Sequence, residues 1–123
     1  MEKTMNKPEF SIRAARIADA ELLAAWAQTM AMETEEKYLH SETVLKGVQA
    51  GIADAKRARY FIAMANETPA GTLMLTTEWS DWRNALFWWI QSVYVEQAWR
   101  RQGVFRSMHA KVIERAKADP GVC

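Results

Sequence analysis

Apolar positions along the chain recur first at helical and then at strand spacing, and the change divides it. Leu22, Leu23, Trp26 and Met30 form one helix face, with Glu21, Gln28 and Thr29 turned away from it. Asp19 stands just ahead, and its carboxylate is predicted to cap the first turn. A second helix is predicted after Ser41, also as a cap, because Val44, Val48 and Ile52 fall four apart; Gly47 and Gly51 weaken it. Before these, Phe10 to Ala14 alternates as a short strand. After Asp54 the period becomes two. Tyr60 to Ala65 and Thr72 to Thr77 read as a hairpin joined by Asn66 to Gly71, and Ser80 to Asn84 turns the chain into a strand over Phe87 to Val95. That strand is apolar on both faces, with Phe87, Trp89, Val93 and Val95 on one and Trp88, Ile90 and Tyr94 on the other. Such a strand belongs mid-sheet. Gly103 to Ala118 is the last helix, with Phe105, Met108, Val112 and Ala116 inward and Asp119, Pro120 and Gly121 ending it. Pro8, Pro69 and Pro120 all fall at expected element boundaries. The order is β-α-α-β-β-β-α, an α/β (α+β layered) domain.

Composition narrows the function classes. Half of the 123 residues are hydrophobic, enough for one core, so a single domain over 1–123 is expected. Sixteen basic residues against fifteen acidic give a formal charge of +1, which supplies no general attraction to nucleic acid or an anionic membrane. Three arginines in one turn make no extended basic groove either. Met1 to Pro8 lacks the apolar core of a signal peptide, and no stretch approaches the roughly 20 apolar residues of a membrane helix, so a cytoplasmic protein is expected. One cysteine, Cys123, excludes an intrachain disulfide; with only His40 and His109 besides, a metal enzyme is not expected.

The chemistry concentrates where WWIQSVYVEQAWRRQGVFRSM, Trp88 to Met108, passes from strand to helix. A tight strand-to-helix turn aims unpaired backbone N–H groups at one place, and the helix dipole adds partial positive charge. That arrangement suits a phosphate. Arg100, Arg101 and Arg106 strengthen the field, and Gly103 lets the backbone approach a ligand closely. Neither a Walker P-loop nor a G-x-G-x-x-G fingerprint is present. Spacing alone leaves a merely solvated turn equally open.

These residues resemble the GNAT family of N-acetyltransferases, whose signature [QR]-x-x-G-x-[GA] follows a hydrophobic strand. VYVEQAWRRQGVF supplies Arg100 and Gly103 in frame behind Val93, Tyr94 and Val95, and the element order agrees over nearly the whole chain. Phe105 departs from the final Gly or Ala. The resemblance implies a mixed, mainly antiparallel sheet with flanking helices, and acetyl transfer from acetyl-CoA to a primary amine of a small molecule or peptide. It assigns the pyrophosphate to the turn, here Arg100, Arg101, Gln102, Gly103, Val104, Phe105 and Arg106. The pantetheine arm would lie along the backbone of Val93, Tyr94 and Val95, where an N–H could also polarise the thioester carbonyl.

An attacking amine must first lose a proton. Glu78 is the first candidate base, ahead of Asp81, Glu33 and Glu35; Glu33, Glu35 and Glu36 otherwise read as a solvated helix end. Trp79, Trp82, Trp88 and Trp89 could line an acceptor pocket, but strand aromatics are expected in the core. Neither histidine is assigned a catalytic role. A complete family member continues with a further strand, helix and hairpin, so the domain is expected to be incomplete at its C-terminal end. The strand ending at Val95 would then be an apolar edge that recruits a second copy, giving a homodimer. The alternative to an enzyme is a truncated remnant that binds coenzyme A or assembles without catalysis.

Overall fold

The computed structural model describes residues 9–123, so Pro8 lies outside the described residues. Four strands form one antiparallel sheet in the order β1-β2-β3-β4: β1 Ser11–Ala14, β2 Arg59–Ala65, β3 Thr68–Ser80 and β4 Ala85–Val95. Helices α1 (Ala20–Glu35) and α2 (Ser41–Ala53) lie between β1 and β2, and α3 (Val104–Ala118) follows β4. The predicted order and class are those observed.

Each sheet face has its own core. Phe61, Ala63, Leu73 and Leu75 pack with Val104, Met108 and Val112 of α3, while Ile62 and Tyr94 pack with Leu23, Trp26 and Val48 of α1 and α2. Alternation along β2 distributes these residues, since successive side chains point to opposite faces. The inward residues of α3 are Val104, Met108 and Val112, four apart. Phe105, expected inward, is instead exposed: the helix begins one residue after Gly103, and its stripe is set by Val104.

Several local expectations are corrected. The β2–β3 turn is only Asn66 and Glu67, because Asn66 adopts left-handed backbone at φ 58°. Pro69 and Gly71 therefore lie inside β3, where a bulge at Ala70 accommodates the proline's missing N–H. Asp19 precedes α1 but points backward, accepting from the Arg16 N–H at 2.7 Å and pairing with the Arg13 guanidinium at 2.8 and 2.9 Å. His40, not Ser41, caps α2, its Nδ1 accepting from the Thr43 N–H at 3.3 Å.

The largest correction concerns β4. It is an edge strand of the sheet, as the expected lack of a following strand implied, and not the central one that its two apolar faces suggested. Helices can cover both faces of a strand without supplying a lateral neighbour, so the apolar pattern reported faces and not edges. Its face assignment also changes. Ser92 takes φ 53° in a bulge between Gln91 and Tyr94 that shifts the pairing with Met74 and Thr72. The extra residue inverts the alternation, so Val93 and Val95 join Trp88 and Ile90 on the α3 face, and Tyr94 faces α1. Trp79, Trp82 and Trp89 are exposed, against the expectation of a core position; of these four tryptophans Trp88 alone packs against the α3 core. The exposed three sit toward the β3–β4 turn, beyond the buried residues of the two cores.

After α3 the chain returns beside the start of β4. Leu86 donates to the Gly121 carbonyl at 2.8 Å and accepts from the Cys123 N–H at 3.0 Å, a parallel bridge between Leu86 and Val122.

Two stability effects are expected. A Cβ on Gly71 would meet the Tyr94 carbonyl oxygen at 2.8 Å and Val104 Cγ1 at 3.0 Å. Gly71→Ala should therefore cost about 1–3 kcal/mol; unchanged denaturant unfolding would contradict this packing. Asp19 is held below the usual carboxylate range, first by the hydrogen bond from Arg13, against a smaller opposing effect of burial. Its contribution is present above the ordinary aspartate pKa of about 3.9 and is lost as pH falls through the lower folded value. Asp19→Asn should be less stable than the parent near neutrality, with the difference closing in acid; a gap that persists at low pH would assign the loss to something other than ionisation.

Candidate functional site

β4 leaves the sheet at Val95, and the chain crosses from Glu96 to Gly103 before α3 begins. Glu96 anchors the crossing: its N–H donates to the Ala70 carbonyl at 2.9 Å, and its carboxylate accepts from the Trp26 indole N–H at 3.0 Å. A short 3-10 turn, Gln97–Trp99, follows, with Trp99 edge-on to Phe10 at 5.9 Å. Arg101 then takes φ 66° and Gly103 φ 92°. Left-handed residues in such a turn bring successive N–H groups into a concave, anion-attracting surface. Gly103 is the N-cap of α3, and no side chain caps the helix; its first N–H groups lack intrahelical acceptors.

The result is an open cleft of about 650 Å³ lined by Val95, Trp99 and every residue from Arg100 to Ser107. All seven predicted turn residues therefore meet there, together with Val95. Val93 and Tyr94 do not line it. Trp99 and Ser107 were missed; the only sequence signal for Trp99 was an aromatic residue directly ahead of the basic pair.

The seven do different work. Arg101 and Arg106 are exposed cations of the cleft. Gln102 is turned back, its Nε2 donating to the Ala98 carbonyl at 3.0 Å. Val104 is buried in the core, so mainly its backbone is available to a ligand. Phe105 stands at the cleft beside His109, ring centroids 5.7 Å apart. Arg100 donates from Nε to the Val95 carbonyl at 2.8 Å and from a terminal nitrogen to Glu33 at 2.9 Å. Tyr94, buried against Trp26, has its phenol pushed upward by burial first and then by the charges of Glu96 and Glu33. It stays protonated at neutral pH.

The open edge of β4 leads away from this cleft. The N–H and C=O of a strand residue point to one side and alternate along the chain. Leu86 directs both groups outward to the C-terminal segment; Trp88 and Ile90 share that direction. Past the Ser92 bulge, Val95 shows an outward carbonyl, the one taken by Arg100.

Glu78 lies elsewhere. It is exposed on β3 opposite Phe87 and accepts from the Trp89 indole N–H at 2.8 Å. The strand rise puts Phe87 roughly 26 Å from Val95. Of the other candidate bases, Glu33 is paired with Arg100, Glu35 lies 3.4 Å from Lys37, and Asp81 is exposed in the β3–β4 turn. Among the described residues, no group of three or more His, Cys, Asp or Glu could hold a metal ion, and no helix is long and apolar enough to cross a membrane.

The sequence profile of the acetyltransferase (GNAT) family matches residues 21–122. The chain belongs to this family. Among solved structures it is similar to one described as a possible acetyltransferase from Clostridium difficile 630, at 35% identity and a TM-score of 0.87 over 93% of this chain and 75% of that one. An integron cassette protein from the mobile metagenome of Cole Harbour Salt Marsh has a TM-score of 0.80 at 18% identity, over 91% of this chain and 72% of the other. A protein from Clostridium acetobutylicum, described as a predicted acetyltransferase with acetyl-CoA, has a TM-score of 0.72 at 17% identity, over 94% and 79%. The last two likenesses concern the fold. No protein of curated function matches the sequence.

The turn geometry of this GNAT-family chain has a measurable cost. An L-residue in the left-handed region is strained by roughly 1–2 kcal/mol, and nothing lies within 4 Å of a Cβ built on Gly103 to add a clash. Gly103→Ala should lower unfolding free energy by about that amount; parent-like stability would mean that the turn relaxes out of its left-handed form.

Proposed function

We propose that the protein transfers an acetyl group from acetyl-CoA to a primary amine. The observation that carries this reading is the continuity of an anion-attracting cleft at the start of α3 with the open hydrogen-bonding edge of β4. A donor with a pyrophosphate and an amide-bearing arm fits that sequence of surfaces. The turn N–H groups, Arg101 and Arg106 would hold the phosphates. The outward backbone groups of β4 would pair with the arm as an added strand. Bound there, acetyl-CoA supplies an acyl group activated as a thioester.

The protein's own contribution is orientation and proton handling. A protonated amine has no lone pair with which to attack, so a base must remove one proton. Glu78 is the base we assign. The Trp89 indole fixes its carboxylate, on β3 opposite Phe87 and remote from the cleft. The carboxylate would also attract a cationic acceptor.

Calorimetric titration should show acetyl-CoA binding. Arg101→Ala and Arg106→Ala should each weaken it by about tenfold, the scale of one lost hydrogen bond to a charged group. Amine-dependent release of free coenzyme A, read with a thiol reagent, should follow, and Glu78→Gln should slow it without changing donor affinity. Donor binding without release for any amine would leave a coenzyme A-binding module in place of the enzyme; no donor binding would overturn both.

A further inference from the structure

Of the arginines at the cleft, Arg100 is the one whose guanidinium is committed to the protein itself. Nε donates to the Val95 carbonyl at 2.8 Å, Nη2 donates to Glu33 Oε1 at 2.9 Å, and the guanidinium carbon lies 5.6 Å from the Tyr94 ring centroid. These three partners belong to different parts of the fold. Val95 ends the open edge of β4, Tyr94 faces α1 from that strand, and Glu33 lies in the last turn of α1. Glu33 also borders a second cleft, between α1 and α2, together with Gln28, Met32 and Tyr38. Arg100 thus stands between the two clefts.

We propose that Arg100 is a positioning residue and not a phosphate ligand: it staples the end of α1 to the end of β4, leaving Arg101, Arg106 and the turn N–H groups to hold the anion. Two physical points favour this. The guanidinium is a rigid planar fork, so a geometry that satisfies Nε and Nη2 on two protein oxygens fixes the direction of the whole group. The Val95 carbonyl it takes is also the terminal outward acceptor of β4. With one of that oxygen's two lone pairs engaged, an added strand pairs more readily with groups nearer the middle of β4, so the staple biases where such a strand begins.

An exposed ion pair by itself contributes little, and Glu33 and Arg100 are both about two-fifths exposed at the side chain. The staple rests on the carbonyl bond and the tyrosine face as well, and its role is placement more than stability.

The effect on the donor rests on the acetyl-CoA assignment above; the staple itself does not, so two measurements separate them. In hydrogen exchange by mass spectrometry, Arg100→Ala and Glu33→Ala should each speed exchange in residues 31–36 and 96–101 while β2 and β3 keep their protection. Unchanged exchange in both variants overturns the staple. In calorimetry with acetyl-CoA, Arg100→Ala and Glu33→Ala should each weaken binding by about threefold to tenfold, and the double variant should be no weaker than Arg100→Ala alone, the non-additivity of two partners in one contact. Arg101→Ala combined with Glu33→Ala should instead multiply the separate effects. Removing the Glu33 carboxylate would tighten anion binding if Arg100 were a phosphate ligand waiting to be freed, so tighter binding by Glu33→Ala overturns the proposal. If the parent protein binds no acetyl-CoA, that assignment fails, and the exchange experiment still decides the staple.

Discussion

β4 is covered on two faces and, beyond its pairing at Leu86, open along one edge, and the placement of the site follows from that asymmetry. Val93 and Val95 pack toward α3 and Tyr94 packs toward α1, so the end of the strand is held from both sides. Held in this way, its outward backbone groups cannot fold back on a neighbour within the sheet. Exposed backbone groups on a rigid strand are a template for strand-like pairing. A loop with the same groups would lose them to water and to its own disorder.

The Ser92 bulge reconciles two demands on the strand. Trp88 and Ile90 must face the α3 core near the start of β4, and Val93 and Val95 must do so near its end. Those numbers differ in parity, so a regular strand could not satisfy both. One additional residue in left-handed backbone restores the match and places Tyr94 against Trp26. The same bulge redirects the backbone groups of the open edge between the cleft and Glu78. Packing constraints and site geometry are thus solved by one local irregularity.

Periodicity carried most of the fold. The helix face of Leu22, Leu23, Trp26 and Met30 and the order of elements were legible because core burial imposes spacing directly on residue type. The basic turn was legible for a related reason: glycine and clustered arginine leave a local chemical trace whatever the surroundings. What stayed hidden depends on partners distant in sequence. No pattern near Asp19 says that Arg13 will draw its carboxylate backward, and no pattern at Ser92 announces a bulge. Strand faces were misassigned for Val93 and Val95 because alternation was extended through that residue. The exposure of Trp79, Trp82 and Trp89 was hidden similarly, since it depends on how far along the sheet the helices on each face reach.

The same limit applies to the arginines of the turn. Side by side in the sequence, Arg100 and Arg101 look alike, two cations ahead of a glycine. The structure separates them by backbone conformation. Arg101 takes positive φ and lies exposed at the cleft, whereas Arg100 turns inward along the strand it has just left, to a carbonyl five residues earlier and a carboxylate 67 residues away in sequence. A basic motif can therefore divide its labour, one residue holding the architecture and the next presenting charge. Which does which follows from backbone conformation, and here the positive φ of Arg101 and Gly103 makes the left-handed turn that points them apart.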